Sequence, residues 1–295
     1  MLRDRPQFTA PPFDGAPEPA SFHAGLPQEE ALARIEWLCG HRERCGIVLG
    51  AAGVGKSHLA ALAARRLAGL GAEVAVLSVG GLPEGEWLEL LLDRLPLDQR
   101  SRAEPGRAWQ KLENRLRENT LLERTTALVF DDADRAPADA VEGIARLAAA
   151  VEPRFSRTLI VVTARPEGLA RLPDELRDRA AVRIELAPWE EHDVAAFIAS
   201  ALQRAGGDPG LFSVEAVETM ARFTGGMPRQ VVRLARLALA AAAGDGLGTV
   251  DAATVERAWR ELMPVERPVA AAAEVRGTGD PDRPATVRVV RRLGG

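Results

Sequence analysis

Gly50-Ala51-Ala52-Gly53-Val54-Gly55-Lys56-Ser57 is the stretch on which the reading of this sequence turns. It fits GxxxxGK(S/T), a loop whose glycines let the backbone wrap until successive N–H groups face phosphate oxygens. Lys56 is expected to reach the β- and γ-phosphates, and the Ser57 hydroxyl to ligate magnesium. The helix expected to open here adds its N-terminal dipole to anion binding, so Gly50 through Ser57, with His58 behind them, form the expected cradle for ATP and Mg2+. Composition sharpens the match. Lys56 and Lys111 are the two lysines against 36 arginines, so a lysine falls at a given position about once in 150 residues, and the motif demands one.

Working outward, residues 45–49 form a short apolar strand before the loop, and residues 57–70 an alanine- and leucine-rich helix after it. Apolar spacing at Ala31, Leu32, Ile35 and Leu38 predicts a helix over 28–38. Strands are predicted at 74–79, 126–130, 159–163 and 182–186, and helices at 86–94, 108–123 and 138–151. Such alternation indicates an α/β parallel sheet covered by helices on both faces. After Pro188 the strands stop, and helices at 190–204, 213–223, 228–243 and 252–262 read as a small all-helical lid. The expected organisation is an extended proline-rich arm over 1–28, a nucleotide-binding domain over 29–187, the lid over 188–263, and a flexible basic tail over 264–295.

Ala127-Leu128-Val129-Phe130-Asp131-Asp132-Ala133-Asp134 is an apolar strand that ends in acids. Asp131 is the candidate metal-side ligand and Asp132 the candidate that activates the attacking water. Aspartate is one methylene shorter than glutamate, so hydrolysis through Asp132 is expected to be slow. Leu159-Ile160-Val161-Val162-Thr163-Ala164-Arg165-Pro166 ends a further strand. Thr163 is a candidate to read the γ-phosphate or position water, and Arg165 offers the same with charge. Gly225-Gly226-Met227-Pro228-Arg229 enters a lid helix with proline suited to its first turn, which places Arg229 as a candidate to couple lid position to phosphate state. Arg177 and Arg179 lie between the fourth and fifth strands, and either can point into a neighbouring subunit's site; Arg179 is the first choice.

The remaining composition narrows the classes. A net charge of −4 argues against a surface given over wholly to nucleic acid. Arg229, Arg233 and Arg236 at helical spacing, with Arg283, Arg288, Arg291 and Arg292 in the tail, keep DNA as a weak candidate partner beside an unidentified protein. Cys39, His41 and Cys45 lack the spacing of a zinc site, and buried thiols are the better reading. No apolar run reaches the 18 residues of a membrane span, and no signal peptide is evident, so the cytoplasm is the expected location.

These motifs in this order resemble an AAA+ ATPase, most closely the bacterial branch that holds the general secretion pathway ATPases and the ATP-binding regulators of transposition. Pro12-Phe13 with Pro17-Glu18-Pro19 and Ser21-Phe22 resembles that branch's N-terminal arm. Pro166-Glu167 resembles its sensor region, and Gly225 to Arg229 its glycine-proline-arginine sensor. The resemblance covers roughly residues 8 to 245 and implies ATP hydrolysis in an ATP-dependent homo-oligomer, with a trans-acting arginine at Arg179. Three positions depart from the pattern: Asp132 for glutamate, Asp134 for a common glutamine, and Arg165 for a glutamine. Paired aspartates and Thr163-Ala164-Arg165 resemble instead the signalling NTPases with an apoptosis-type nucleotide switch.

Overall fold

In a computed structural model of the chain, the described residues are 8–13, 25–97, 107–150 and 156–262. Five strands form one parallel sheet: β1 (Cys45–Leu49), β2 (Glu73–Ser78), β3 (Thr126–Asp131), β4 (Thr158–Ala164) and β5 (Val182–Glu185), in the spatial order β2-β3-β4-β1-β5. The central strands β1, β3 and β4 are buried along their whole length, which is why their sequences run apolar without alternation. The edge strands β2 and β5 are only partly covered, and they alternate.

Strand pleating divides the apolar residues into two cores, one on each face. Cys45, Ile47, Leu128, Phe130, Ile160 and Val162 face α3 (Trp87–Arg94), α4 (Ala108–Leu121) and α5 (Ala138–Ala149). Val48, Ala127, Val129, Leu159, Val161 and Ile184 face α1 (Leu26–Gly40) and α2 (Lys56–Gly69). A short helix, α6 (Asp174–Asp178), precedes β5.

The α1 helix begins at Leu26 with Pro27 in its first turn, so the three residues assigned from composition to the end of the arm are helical, and Gln28 is buried. The α4 helix stops at Leu121, and Glu123 turns the chain with φ of 55°. Residue 151 of the helix expected over 138–151, the segment Pro17 to Phe22 and the basic tail lie outside the described residues.

The lid has its own core, built by α7 (Glu191–Arg204), α8 (Val214–Thr224), α9 (Pro228–Gly244) and α10 (Ala252–Leu262). Phe13 from the N-terminal segment belongs to it: its ring lies 6.0 Å from those of Phe197 and Phe212. Thr9 N–H donates to Ala205 O at 2.9 Å and keeps the segment on the lid. Phe13→Ala is therefore expected to destabilise the lid by about 3 kcal/mol, the low end for a buried phenylalanine because a short segment can peel away alone. Hydrogen exchange of the α7 and α8 amides measures this, and unchanged protection would show that the segment merely rests there.

Candidate functional site

The site gathers at the carboxyl end of the sheet, where parallel α/β sheets leave a crevice. β1 runs into the loop 50–55, and β4, inserted between β1 and β3, brings its own end against it. Leu49 is in register with Ala164, and Gly50 N–H donates to Ala164 O at 3.2 Å. Gly53 and Gly55 hold φ of 90° and 105°, a region side-chain-bearing residues avoid. A Cβ on Gly50 would stand 2.7 Å from Val54 Cγ1, so the loop closes only around glycine there.

The α2 helix starts at Lys56 with no capping side chain and no acid in its first turn, which leaves its amides for an anion. Lys56 is buried, and its Nζ donates to Gly50 O at 2.8 Å and Ala51 O at 3.2 Å. Burial pushes the Lys56 ammonium down from its ordinary range, while Asp132, Asp131 and Asp134 hold it up and Arg165 lowers it again. Ala51, Ala52 and Ser57 are exposed and Val54 is buried; His58 is half-buried.

Asp131 ends β3 and is buried. Thr163 on the adjacent β4 donates its hydroxyl to Asp131 Oδ1 at 2.5 Å and accepts the Asp132 N–H at 3.0 Å. The register explains this: Phe130 pairs with Val162, so the next residues on each strand meet. Thr163, a candidate phosphate reader by sequence, thus spends its hydroxyl on the two acids and orients them. Asp132 sits in the left-handed region at φ 55° and ψ 41°, which aspartate tolerates better than most residues. Gly80 makes room for that turn, since a Cβ there would stand 2.8 Å from Asp132 Cβ.

Asp134 is buried and accepts from Arg165 Nε at 2.8 Å. No sequence signal linked these two residues, because 31 positions separate them and only strand pairing joins them. From the lid, Arg229 N–H donates to Gly53 O at 3.1 Å, and a Cβ on Gly53 would stand 3.1 Å from Arg229 Cβ. The lid helix α9 therefore rests its first turn on the phosphate loop. Trp189 N–H donates to Gly226 O at 2.9 Å, and Trp189 Nε1–H to Gln28 Oε1 at 3.1 Å, which ties the lid entrance to α1.

Arg177 and Arg179 are elsewhere. Ala181 N–H donates to Cys45 O, and Val182 pairs with Gly46, so both arginines stand at the end of the sheet opposite the loop. Arg177 is ion-paired with Asp174 on its own helix, whereas Arg179 is exposed. Cys45 is buried, and its thiol is pushed up to about 12 by that burial. Among the described residues no cluster of three His, Cys, Asp or Glu side chains is arranged to hold a metal, and no helix is long and apolar enough to cross a membrane.

The loop, its glycines and the uncapped α2 amides fit a nucleotide's phosphates, and Ser57 with Asp131 are oxygen donors of the kind magnesium takes. Residues 39–172 match the AAA domain family. General secretion pathway protein A of Aeromonas hydrophila is 27% identical over 246 residues, which span 81% of this chain but only 44% of that protein. In fold, the chain is similar to Cdc6p from Pyrobaculum aerophilum (TM-score 0.64, 16% identity, 85% of this chain and 71% of that one). It is likewise similar to the ORC2 protein of Aeropyrum pernix (0.65, 16%, 86% and 72%). The RuvB Holliday junction branch migration motor of Thermotoga maritima shares the fold too (0.56, 17%, 82% and 70%). Residues 39–172 thus match an AAA domain with a helical lid behind it, and over 246 residues the chain is similar to general secretion pathway protein A.

Proposed function

We propose that this chain binds ATP with magnesium, hydrolyses it to ADP and phosphate, and uses the cycle to change conformation and assemble with copies of itself. The observation that carries the reading is the convergence of Lys56, Asp131, Asp132 and the lid residue Arg229 on one loop. Lys56 would exchange the carbonyls of Gly50 and Ala51 for the β- and γ-phosphate oxygens. Ser57 and Asp131 would hold the magnesium ion, which when bound neutralises charge on those oxygens. Asp132, aimed by its left-handed backbone and the Thr163 hydroxyl, would take a proton from water as its oxygen attacks the γ-phosphorus and the bond to ADP breaks. Arg229 would move with the lid and report the phosphate state to α9.

Asp132→Asn is expected to stop turnover while ATP still binds, because the amide keeps the shape but cannot accept the proton. Asp131→Ala is expected instead to weaken magnesium-dependent binding. Steady-state phosphate release and nucleotide titration separate the two. Wild-type turnover by Asp132→Asn would remove the water-activating role from Asp132, and it cannot pass to Asp134, which is buried against Arg165.

A slowly turning nucleotide switch is the second reading, favoured by the shorter aspartate at position 132. A phosphate-release assay with and without DNA distinguishes it from a loader that turns over on a partner. The partner belongs to the proposal too. Likeness to general secretion pathway protein A supports a protein partner, though the chain spans less than half of that relative. Arg233 and Arg236 are exposed on α9, which keeps DNA as a second candidate. We place the protein in the cytoplasm, where ATP is abundant.

A further inference from the structure

A groove of about 470 Å³ lies between α1 and β5, and no residue of the phosphate loop lines it. Its apolar lining is Leu26, Pro27 and Ala31 from α1, with Ile184 of β5 and Ala187 just after that strand. Leu26 keeps 69% of its surface exposed, although it stands at the start of a packed helix. One end of the groove is fixed by Asp193. Its carboxylate accepts the Leu26 N–H at 3.2 Å and the Glu190 N–H at 3.1 Å, which joins the starts of α1 and α7. The groove is therefore formed before any ligand arrives, and the ordering cost of binding falls accordingly.

The strand beside it is an edge. Among the described residues β5 pairs with β1 alone. Its four residues, at about 3.3 Å each, leave roughly 13 Å of strand edge along the groove. Such an edge takes an added strand, whose main-chain hydrogen bonds give affinity while pockets for alternate side chains give specificity. Arg183 and Glu185 are exposed on β5 and guard it against indiscriminate pairing. The charges around the groove choose the partner. Four acids, Glu30, Glu185, Glu190 and Asp193, stand against two arginines, Arg34 and Arg183. Both arginines are engaged, Arg34 with Glu30 and Arg183 with the carbonyl of Arg177 at 3.2 Å. The surplus is acidic and calls for a cation, and it turns away the phosphates of a nucleic acid.

We propose that this groove binds an extended basic segment of a partner protein. The segment adds a strand beside β5, sets small apolar side chains over Ile184 and Ala187, and brings a lysine or arginine to Glu185. It would lie between Arg183, which is bonded to Arg177, and the lid entrance at Glu190, so a partner seated here touches both. The probe is a short fluorescein-labelled peptide of alternating valine and arginine, titrated against the full chain by fluorescence anisotropy. Three altered peptides accompany it: one with glutamate for arginine, one N-methylated at every valine, and one N-methylated at every arginine. The protein variants are Glu185→Arg and Ala187→Trp, both at exposed positions and each checked for folding by circular dichroism. An added strand pairs along one edge only, so one methylated peptide should lose about 10-fold or more in affinity while the other binds as before. Glu185→Arg should cost about fivefold, the span of an exposed ion pair lost and replaced by repulsion. Ala187→Trp, which fills the groove, should abolish binding, and the glutamate peptide should not bind. Where one variant fails to fold, the other decides. Wild type that does not bind the basic peptide would overturn the proposal, and so would methylated peptides that bind alike or a glutamate peptide that binds as well. Binding that the folded variants retain at wild-type strength would put the peptide elsewhere and overturn the site.

Discussion

Lys56→Ala is expected to abolish measurable ATP binding and to leave the fold intact. Two charge-assisted contacts, to the β- and γ-phosphates, would be lost together, and at about 1.5–3 kcal/mol each they amount to a loss of at least about 100-fold. No other lysine can substitute, since Lys111 lies on α4, away from the loop. The fold is expected to survive because the lysine's present partners, Gly50 O and Ala51 O, belong to a loop rather than to the sheet ladder. Removing a buried ammonium also removes its desolvation cost, the chief cause of its lowered proton affinity. Nucleotide affinity by fluorescence titration and secondary structure by circular dichroism give the two readouts. Unchanged affinity in a folded variant would end the assignment of this loop to phosphate.

The second large effect concerns Arg179. Mixing Lys56→Ala subunits, which cannot bind ATP, with Arg179→Ala subunits, which can, is expected to recover activity that neither variant shows alone. Arg179 stands beside the start of β5, level with the beginning of β1, while the phosphate loop follows the end of β1. Five residues of strand at about 3.3 Å each put roughly 16 Å between those levels, too far for an arginine to serve its own subunit. Its exposure supports action on a neighbour, and the pairing of Arg177 with Asp174 leaves Arg179 the better of the two. An arginine delivered only on assembly can raise hydrolysis by about 10³ to 10⁵, because charge builds on the γ-phosphoryl oxygens in the transition state. Turnover would then depend on assembly, and a lone subunit would look nearly inert. A mixture that co-assembles by light scattering yet recovers nothing would count against the trans role.

Much of this was legible in the chain itself. The loop at 50–57 is local chemistry: a glycine-rich turn, one lysine and a serine between a strand and a helix require no distant partner to be recognised. The strand positions were legible for a related reason. Burial on both faces forces β1, β3 and β4 into continuous apolar runs, and those runs stand out between helices. What sequence could not supply was adjacency. The insertion of β4 between β1 and β3 is a matter of strand order, and it set the Thr163 hydroxyl against Asp131 and the Asp132 N–H. The same insertion brought Arg165 onto Asp134, so two separate oddities of the sequence became one ion pair. Phe13 read as part of an extended arm because nothing near it in sequence is apolar enough to bury it; its partners Phe197 and Phe212 come from the lid about 200 residues away. The placement of Arg229 on Gly53 is decided in the same way, by a lid that folds back over the loop. Local pattern names the candidate residues, but only the packing of distant segments fixes which of them touch.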